Sequence, residues 1–560
     1  MDCLSRSLVL GLLALTACTS EPPPPGPAPE MILYNGTIYT QEEGKVVSAI
    51  ALQNGRVLTT GNDEQIQRLA VGRTEMIDLE GKTVYPGFAD AHAHLVGVGL
   101  ASARLDLVGT TSFEEVLERV VARHKELPEG EWLLGRGWDQ NDWEVQELPQ
   151  HLALSAAIPD RPVVLTRVDG HALLANQAAM DAAGVDAQTP QVEGGHIWEY
   201  TSGEPTGVFI DNAEGLILNA VPPTSSAALL TAIKEATKTF HAQGITAMHD
   251  AGVSSDTLPI LEDLAADDAL RLRLHVMLSG SSPQQLRDYF ARGPAPNLGG
   301  NGTLAIRSLK LYADGALGSR GAALLEPYSD EPYHAGLILT PEAEMDRICR
   351  EALQAGFQVC THAIGDRGVR QVLDSYAAAL ADVAEGGDPR FRIEHAQVIH
   401  ADDIPRFTSL GVIPSMQAQH QTSDMPWAEA RVGSERIRGA YAWRSLRETG
   451  CIIPGGSDAP VERLDVVAQF AAAVTRQTLE GQPDGGWYPE QVMSRQEALD
   501  MLTVWPAQAA FREHDLGRLS SGYRADLVIF EGDLMTAPIE ELKDCHPVMT
   551  VFDGEVVWRR

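Results

Sequence analysis

The stretch Thr83-Val-Tyr-Pro-Gly-Phe-Ala-Asp-Ala-His-Ala-His-Leu95 decides how this 560-residue chain is interpreted. An apolar run enters it, a Pro-Gly pair interrupts the run, and His92 and His94 follow two positions apart. Residues i and i+2 of an extended strand point to the same side, so both imidazoles can bind one ion. Imidazole is a ligand for zinc, iron, nickel and copper. The pattern therefore indicates a metal site without naming the metal.

Strand-like apolar runs recur along the middle of the chain, and helix-like stretches separate them from the second run onward. The runs lie near residues 84–91, 245–250, 272–278, 307–313, 358–363, 391–396, 411–416 and 451–456. Helical spacing follows from Thr340 to Ala355 and from Asp366 to Ala384, and Ser494-Arg-Gln-Glu497 is a capping box. Eight strands alternating with helices predict an α/β fold, a parallel (β/α)8 TIM-type barrel at 83–505. A doubly wound sheet is the alternative fold.

Both chain ends carry short strands and tight turns, which predict a second, smaller domain. Asn-Gly pairs at 35–36 and 54–55, and an Asp-Gly pair at 553–554, each separate two apolar segments, as in a β-hairpin. Isolated hairpins are marginally stable, so we expect residues 31–82 and 506–560 to meet in one β-sandwich domain.

A long interval separates the first two predicted barrel strands. It spans roughly 150 residues, which is too long for a loop and predicts a folded insertion at about 104–215. As a connection that follows a strand, the insertion would lie over the C-terminal mouth of the barrel. We therefore expect it to shape the substrate pocket.

The N-terminus has the features of an export signal, predicted at residues 1–17. Arg6 precedes the apolar run Leu8 to Leu15, and Leu15-Thr-Ala-Cys18 resembles a bacterial lipobox. The resemblance implies cleavage before Cys18 and lipid on its sulfur, with the proline-rich residues 18–30 as a stiff tether. The expected location is an exported, membrane-anchored lipoprotein on the periplasmic or cell-envelope side. A plain signal peptide with an incidental cysteine is the alternative.

Composition opposes several classes of partner. The net charge is −34, from 77 acidic and 43 basic residues, which disfavours nucleic acid and anionic membrane surfaces. We expect membrane contact only through a lipid anchor, and the oligomeric state is left open. Four of the six cysteines lie beyond the leader, far apart and without a C-x-x-C motif, so we expect buried free thiols.

The barrel hypothesis requires catalytic residues at the C-terminal ends of strands, however far apart they lie in sequence. Polar residues of the required types do follow the first, fourth, fifth, sixth and eighth predicted strands. They are His92 and His94, Lys310, His362, His395 and Asp458. Each has an ordinary structural interpretation when it is taken singly, whereas the whole set at strand ends favours a metal centre.

The motifs around these residues resemble the amidohydrolase superfamily, and within it amidohydrolase family 3, which includes the N-substituted formamide deformylases. They are Gly-Phe-x-Asp-x-His-x-His at 87–94, Lys-Leu-Tyr-Ala-Asp-Gly-Ala-Leu-Gly-Ser-Arg at 310–320 and Gly-Ser-Asp-Ala-Pro at 456–460. The resemblance covers nearly everything after residue 31, including segments around Trp138 and His171. It is specific for the family and uninformative about the individual substrate.

The resemblance implies a divalent metal centre, with zinc as the expected metal and one or two ions bound. His92, His94 and Asp458 would bind a more buried ion, and His362 and His395 a second. Lys310 would bridge the ions after its amine has reacted with carbon dioxide to form a carbamate. A lysine ammonium cannot ligate a cation, whereas a carbamate is an anionic ligand with two oxygens. Iron, manganese and a one-metal site are alternatives.

The resemblance implies a small-molecule substrate of amide type as the partner. The expected reaction is hydrolysis of its C–N bond, of amide, N-formyl or N-acyl type, with Asp458 as general base and then general acid. His171, Asp314 and Arg320 are candidate substrate contacts, whereas His249 and Trp138 are interpreted as core residues. The ligand set does not distinguish an amide from a cyclic amide, an amidine or an ester. From another class of function, a non-catalytic tethered binding lipoprotein is the alternative.

Overall fold

The computed structural model describes residues 28–280, 282–381 and 387–560, and its centre is a nearly closed sheet of parallel strands. The predicted leader, Cys18 and most of the predicted tether lie outside the described residues. Neighbouring strands pair in parallel in the spatial order Ile413–Ser415, Arg392–His395, Gln358–Ala363, Leu304–Tyr312, Arg273–Ser279, Ile245–Val253 and Phe88–Ala93. The α/β barrel prediction is confirmed.

The predicted eighth strand, 451–456, closes this sheet as an irregular segment. Met416 donates its backbone N–H to Pro454 (3.1 Å) on one side, and Ala91 donates to Gly455 (2.8 Å) on the other. Pro454 has no N–H to donate, which weakens regular pairing. At Gly456 a Cβ atom would lie 2.5 Å from the backbone nitrogen of His92. The close passage of the two backbones brings the end of this segment beside the first strand.

Helices follow the strands and bury apolar faces against the sheet. The predicted helices after the fourth and fifth strands are observed, and the predicted capping box at Ser494 is formed. The helices that alternate with the barrel strands are Ser226–Ala242, Leu258–Ala266, Pro283–Arg292, Glu342–Gln354, Asp366–Leu380, Ile404–Leu410, Val466–Thr475 and Arg495–Met501. Shorter helices at the mouth include Leu95–Ala101, Ala418–Asp424 and Ala428–Arg436.

The first predicted strand, 84–91, is divided between two sheets. Thr83–Pro86 pairs with Leu527–Glu531 outside the barrel, and Phe88–Ala93 is the first barrel strand. Gly87 lies between them, where a Cβ atom would stand 2.2 Å from Thr246 Oγ1. The Pro-Gly pair therefore marks the crossing from one sheet to the next, and only glycine fits the contact.

Both chain ends build a β-sandwich, as predicted. One sheet contains Arg56–Gly61, Ala49–Gln53, Met31–Tyr34 and Glu75–Asp78. The other combines both ends of the chain: Glu555–Arg559, His546–Phe552, Leu527–Glu531, Thr83–Pro86, Thr37–Tyr39 and Val46–Val47. Side chains of the two sheets, such as Leu33 and Ile529, share one apolar core.

Two of the three predicted hairpin turns are confirmed, at Asn54-Gly55 and at Asp553-Gly554. The third, at Asn35-Gly36, is wrong. The strand before it pairs with Ala49–Gln53 and Glu75–Asp78, whereas the strand after it belongs to the other sheet. Asn35 has the positive φ that a tight turn requires (61°), and a corner between two sheets uses the same conformation as a hairpin.

The segment between the first two barrel strands folds on its own six-stranded sheet, with an apolar core on each face. Trp138 is buried in one of these cores and donates its indole N–H to the Leu165 carbonyl (2.7 Å). The strands are Leu105–Asp106, Leu133–Trp138, Val163–Arg167, Ala172–Ala175, Gly195–Glu199 and Pro205–Asp211. Its main helices are Phe113–His124, His151–Ala157 and Gln177–Ala183. This insertion begins and ends at the mouth of the barrel.

The cysteines of the described residues behave as small core side chains. Cys349, Cys360, Cys451 and Cys545 are all buried and unpaired, which confirms the expectation of free thiols. Across the described ranges, none of the helices combines the length and the apolar character needed to cross a bilayer.

Candidate metal centre

Three buried side chains meet at the C-terminal mouth of the barrel. They come from the first strand, from the sixth strand and from the end of the segment that closes the sheet. His92, His395 and Asp458 each offer one ligand atom, and these atoms lie within 4.8 Å of one another. Asp458 Oδ1 stands 3.6 Å from His92 Nε2 and 3.1 Å from His94 Nε2. Two ligand atoms on a tetrahedral zinc ion with bonds of about 2.1 Å are about 3.4 Å apart. The donor types and their spacing therefore fit a divalent ion.

The remaining predicted ligands lie beside this cluster. Lys310 is buried and places its Nζ 3.0 Å from His92 Nε2. The His362 ring packs 4.6 Å from the His395 ring, centre to centre. His395 was expected at a second ion, yet it lies within the three-residue cluster that contains His92 and Asp458. The two expected metal positions therefore share one pocket.

Glu394 orients His92 and was not identified from the sequence. Its Oε2 lies 2.5 Å from His92 Nδ1, and Arg392 donates two hydrogen bonds to the same carboxylate, of 2.8 and 2.9 Å. Burial alone would raise the Glu394 pKa, but the Arg392 charge and the His92 hydrogen bond lower it to about 2. An ionised Glu394 holds the proton of His92 on Nδ1, which leaves Nε2 free as a ligand.

Arg392 ties three parts of the barrel together beneath the cluster. It donates to the Ala91 carbonyl (2.8 Å) and to Ser415 Oγ (2.9 Å), which lie in the first and seventh strands. It also lies 2.7 Å from His249 Nδ1. Burial and the Arg392 charge lower the His249 pKa well below its usual value, so His249 accepts this hydrogen bond as a neutral ring. His249 is thus a core histidine with a defined partner.

Asp90 joins the first strand to the closing segment. Its carboxylate accepts the backbone N–H groups of His92 (3.1 Å) and Ser457 (3.0 Å), and the Ser457 hydroxyl (2.5 Å). The neighbouring Asp458, like His395, is a non-glycine residue with a left-handed φ, 57° and 71° respectively. Such backbone costs of order 1–3 kcal/mol and is held in place by its surroundings. Both residues with this unusual backbone conformation, Asp458 and His395, belong to the cluster.

Two further residues come from the helix after the seventh strand. Gln417 Oε1 lies 2.8 Å from His395 Nδ1 and fixes that ring, while His420 Nε2 lies 3.5 Å from Asp458 Oδ2. Neither residue was predicted from the sequence. Both directly follow the predicted seventh strand, so the rule that selected His362 and His395 would have found them.

The insertion reaches the cluster through His171. Its ring packs 4.8 Å from the His362 ring, and its Nδ1 lies 2.7 Å from Asp211 Oδ1. Burial would lower the His171 pKa, but the hydrogen bond and charge of Asp211 raise it to about 9. The structure therefore places a cationic imidazole at the edge of the candidate metal pocket.

The other two candidate substrate contacts are engaged elsewhere. Asp314 is buried and accepts the backbone N–H groups of Ala323 (2.8 Å), Ile364 (2.9 Å) and Gly365 (2.8 Å), so it fixes the loops around His362. Burial raises its pKa to about 7. Arg320 forms an ion pair with Asp330 (3.1 Å) on the same loop. The structure does not bring Arg320 into the cluster.

The chain matches known proteins over almost its whole length. The model of the Amidohydrolase family matches residues 75–558. YtcJ of Bacillus subtilis (strain 168) is 32% identical over 94% of this chain and 99% of its own length. The N-substituted formamide deformylase of Arthrobacter pascens is 25% identical over 95% of this chain and 98% of its own.

A solved structure shares the architecture. An uncharacterized metal-dependent hydrolase from Pyrococcus horikoshii OT3 superposes with a TM-score of 0.74 at 27% identity, over 91% of this chain and 99% of that one. The family match, the shared fold and the His/Asp cluster agree with one another. The chain therefore belongs to the amidohydrolase family, as a hydrolase with a candidate site for a divalent metal.

Proposed function

We propose that this protein is a metal-dependent amidohydrolase that cleaves a C–N bond of amide, N-formyl or N-acyl type. The proposal rests mainly on the position of Asp458. Its carboxylate touches His94 and His92 at 3.1 and 3.6 Å, at the one end of the barrel where side chains of several strands converge. A carboxylate in that position can both face an ion and exchange a proton with a reacting group.

A divalent ion, for which we propose zinc, would be held by His92, His94 and Asp458, with His362 and His395 beside it. When bound, it would lower the pKa of water and polarise the substrate carbonyl. Burial raises the Asp458 pKa, but the His94 hydrogen bond and the surrounding imidazoles hold it well below its usual value. Asp458 is thus ionised near neutral pH. It would accept a proton from the attacking water and deliver it to the leaving nitrogen.

We also propose that Lys310 is carboxylated in the active enzyme. Among the described residues no carboxylate lies within 4 Å of Nζ, and burial lowers the Lys310 pKa, which favours the neutral amine. The nitrogen would attack carbon dioxide, form an N–C bond and release one proton, giving an anionic carbamate. Carbon-13 NMR of protein incubated with labelled bicarbonate should show a carbamate signal that Lys310→Ala lacks.

The Asp458→Asn variant tests the proposed reaction. We expect kcat to fall by about 10²–10⁴-fold on N-formyl and N-acyl amines, because proton transfer is lost. Metal content should remain close to that of the wild type, since three imidazoles and the asparagine oxygen still face the ion. Turnover near the wild-type rate would refute the role of Asp458. Parallel assays with cyclic amides, amidines and esters would show whether one of these is the better substrate.

We propose in addition that the protein is exported and anchored by lipid on Cys18. The Leu15-Thr-Ala-Cys18 sequence supports this, together with the proline-rich stretch that follows it. Expression of Cys18→Ser in a Gram-negative host should move the protein from the membrane to the soluble periplasmic fraction. An unchanged distribution would contradict the anchor.

A further inference from the structure

Two arginines at the insertion side of the mouth have no acidic partner. Arg104 follows the helix Leu95–Ala101, which begins directly after His94, and Arg136 lies on the strand Leu133–Trp138. Both are half-buried. Within the described ranges, no carboxylate oxygen lies within 4 Å of either guanidinium. The charge of Arg104 is close enough to lower the pKa of Arg136.

The Arg136 side chain lies beside the loop that carries His171. Its Nη2 donates a hydrogen bond to the Val168 carbonyl (2.7 Å), and a Cβ atom on Gly170 would lie 3.5 Å from Nη1. The next residue, His171, packs its ring 4.8 Å from His362 in the candidate metal centre. The negative charge of Asp458 also acts on Arg136. The guanidinium is therefore a neighbour of the reaction site.

Several buried arginines of this protein pair with carboxylates, whereas Arg476 donates to the Trp487 and Tyr441 carbonyls instead. Arg167 pairs with Asp139 and Asp169, and Arg273 pairs with Asp526 (2.5 Å). The chain has an excess of acidic residues and a net charge of −34, so a partner for Arg136 would be easy to provide.

The nearest acidic residues do not fill this role. Asp169 is already engaged by Arg167. Glu214 acts on Arg136 through its charge, but its buried Oε1 has no hydrogen-bond partner in the described part of the chain. Of the hydrogen-bond donors on Arg136, only Nη2 has a bonded partner among the described residues. The remaining donors are available to a ligand.

We propose that Arg136, with Arg104 beside it, binds a carboxylate of the substrate, so that the preferred substrates are N-acyl or N-formyl amines bearing an acidic group. This inference rests on the proposed function and narrows its substrate class. A guanidinium presents a planar fork of donors that matches a carboxylate in two parallel hydrogen bonds. The contact would fix one end of the substrate and direct its scissile bond toward Asp458.

The test compares matched probes that differ in one charge: N-acetylglycine and its neutral amide, N-acetylglycinamide, with the corresponding N-formyl pair. We expect the wild type to prefer the acid by at least about tenfold in kcat/KM. Arg136→Gln should lower kcat/KM for the acid about 10–100-fold, mainly through KM, which corresponds to the loss of a charged hydrogen bond. The amide should change less than about twofold. Arg136→Lys, which keeps the charge, should restore part of the preference.

Two controls keep the outcome interpretable. Arg271→Gln removes the same charge at an exposed pair with Glu555, in the terminal domain, and should leave the acid preference intact. Arg104→Gln serves as a second variant if Arg136→Gln does not fold, and it should reduce the preference in the same direction. Equal losses for acid and amide, or a wild type that prefers the amide, would overturn the inference while leaving the amidohydrolase function in place.

Absence of turnover on both probes would count against the proposed function. In that case a binding measurement tests separately whether Arg136 recognises a carboxylate. Calorimetry with metal-loaded Asp458→Asn should show tighter binding of N-acetylglycine than of its amide, and Arg136→Gln should abolish the difference. If the acid binds equally well with and without Arg136, its carboxylate contacts something else, and the inference fails.

Discussion

His92 Nδ1 and Glu394 Oε2 lie 2.5 Å apart with both side chains fully buried. This pair links two strands separated by about half of the chain, and it fixes which nitrogen of His92 faces the candidate metal pocket. Metal-binding histidines are commonly held in this way by a carboxylate on the opposite nitrogen. The barrel therefore fixes the orientation of this candidate ligand through a contact between two of its strands.

Replacing Glu394 tests that arrangement. Glu394→Gln should weaken metal affinity by about 10–100-fold, because His92 loses its orientation and part of its basicity. It should also lower stability by about 3–5 kcal/mol, since Arg392 loses its counter-ion in the core. Competition with a chromophoric chelator measures the affinity. The matched control is Glu513→Gln, which removes a partly exposed pair with Arg390 and should leave metal affinity unchanged. Equal affinities in all three proteins would contradict the role of Glu394.

Gly456 lies where the closing segment passes close to the backbone of the first strand. In Gly456→Ala the new methyl group would meet the His92 backbone nitrogen at 2.5 Å, so the segment must move away. We expect loss of metal and of activity together, because Asp458 follows two residues later. Gly72→Ala is the control, since a Cβ there meets no atom within 4 Å and the φ angle of Gly72 is not positive. A metal-loaded, fully active Gly456→Ala protein would show that the close approach is unimportant.

Asp424 should make stability depend on pH. Burial raises its pKa from 3.8 to about 7, although the charge of His420 and the Tyr441 hydrogen bond oppose the shift. The folded state keeps this proton to higher pH than the unfolded state, so stability falls as pH rises through this interval. The free energy of unfolding in urea should therefore rise for Asp424→Asn relative to the wild type between pH 5 and pH 8. The expected difference is up to about 3 kcal/mol, at about 1.4 kcal/mol per pKa unit. A pH-independent difference would contradict the assignment.

The barrel and the β-sandwich are joined by a buried ion pair. Arg273 in the third barrel strand donates to both carboxylate oxygens of Asp526, at 2.5 and 2.9 Å. Asp526→Asn should destabilise the protein by about 3 kcal/mol, because buried Arg273 then keeps only its single ionic contact with Asp553 (3.0 Å). Glu555→Gln, which breaks an exposed pair with Arg271, should cost less than about 1 kcal/mol. Similar unfolding midpoints for the two variants would argue against a strong joint.

The barrel, and the meeting of the candidate side chains at its mouth, could be predicted from the sequence because of one strong geometric rule. Parallel strands present their carboxyl ends at one face, so His92, Lys310, His395 and Asp458 could be grouped without knowing any distance. Gln417 and His420 obey the same rule and were overlooked only because no familiar motif marked them. Glu394 lies one residue before the candidate ligand His395 on a strand buried on both faces, where an acidic residue has no distinctive pattern.

Other features depend on contacts that sequence does not encode locally. Asn35-Gly36 has hairpin chemistry, but the partner of its first strand is chosen by the sandwich core. The division of the first predicted strand at Gly87 depends on the approach of Thr246, far along the chain. Arg320 follows Lys310 in a recognisable motif, yet the ion pair with Asp330 draws it away from the cluster.

The most direct test of the account is anomalous diffraction at a metal absorption edge from crystals of the protein grown with zinc. The account predicts an anomalous peak within about 2.3 Å of both His92 Nε2 and an Asp458 carboxylate oxygen. A fully loaded protein whose peaks all lie away from His92, His395 and Asp458 would contradict it.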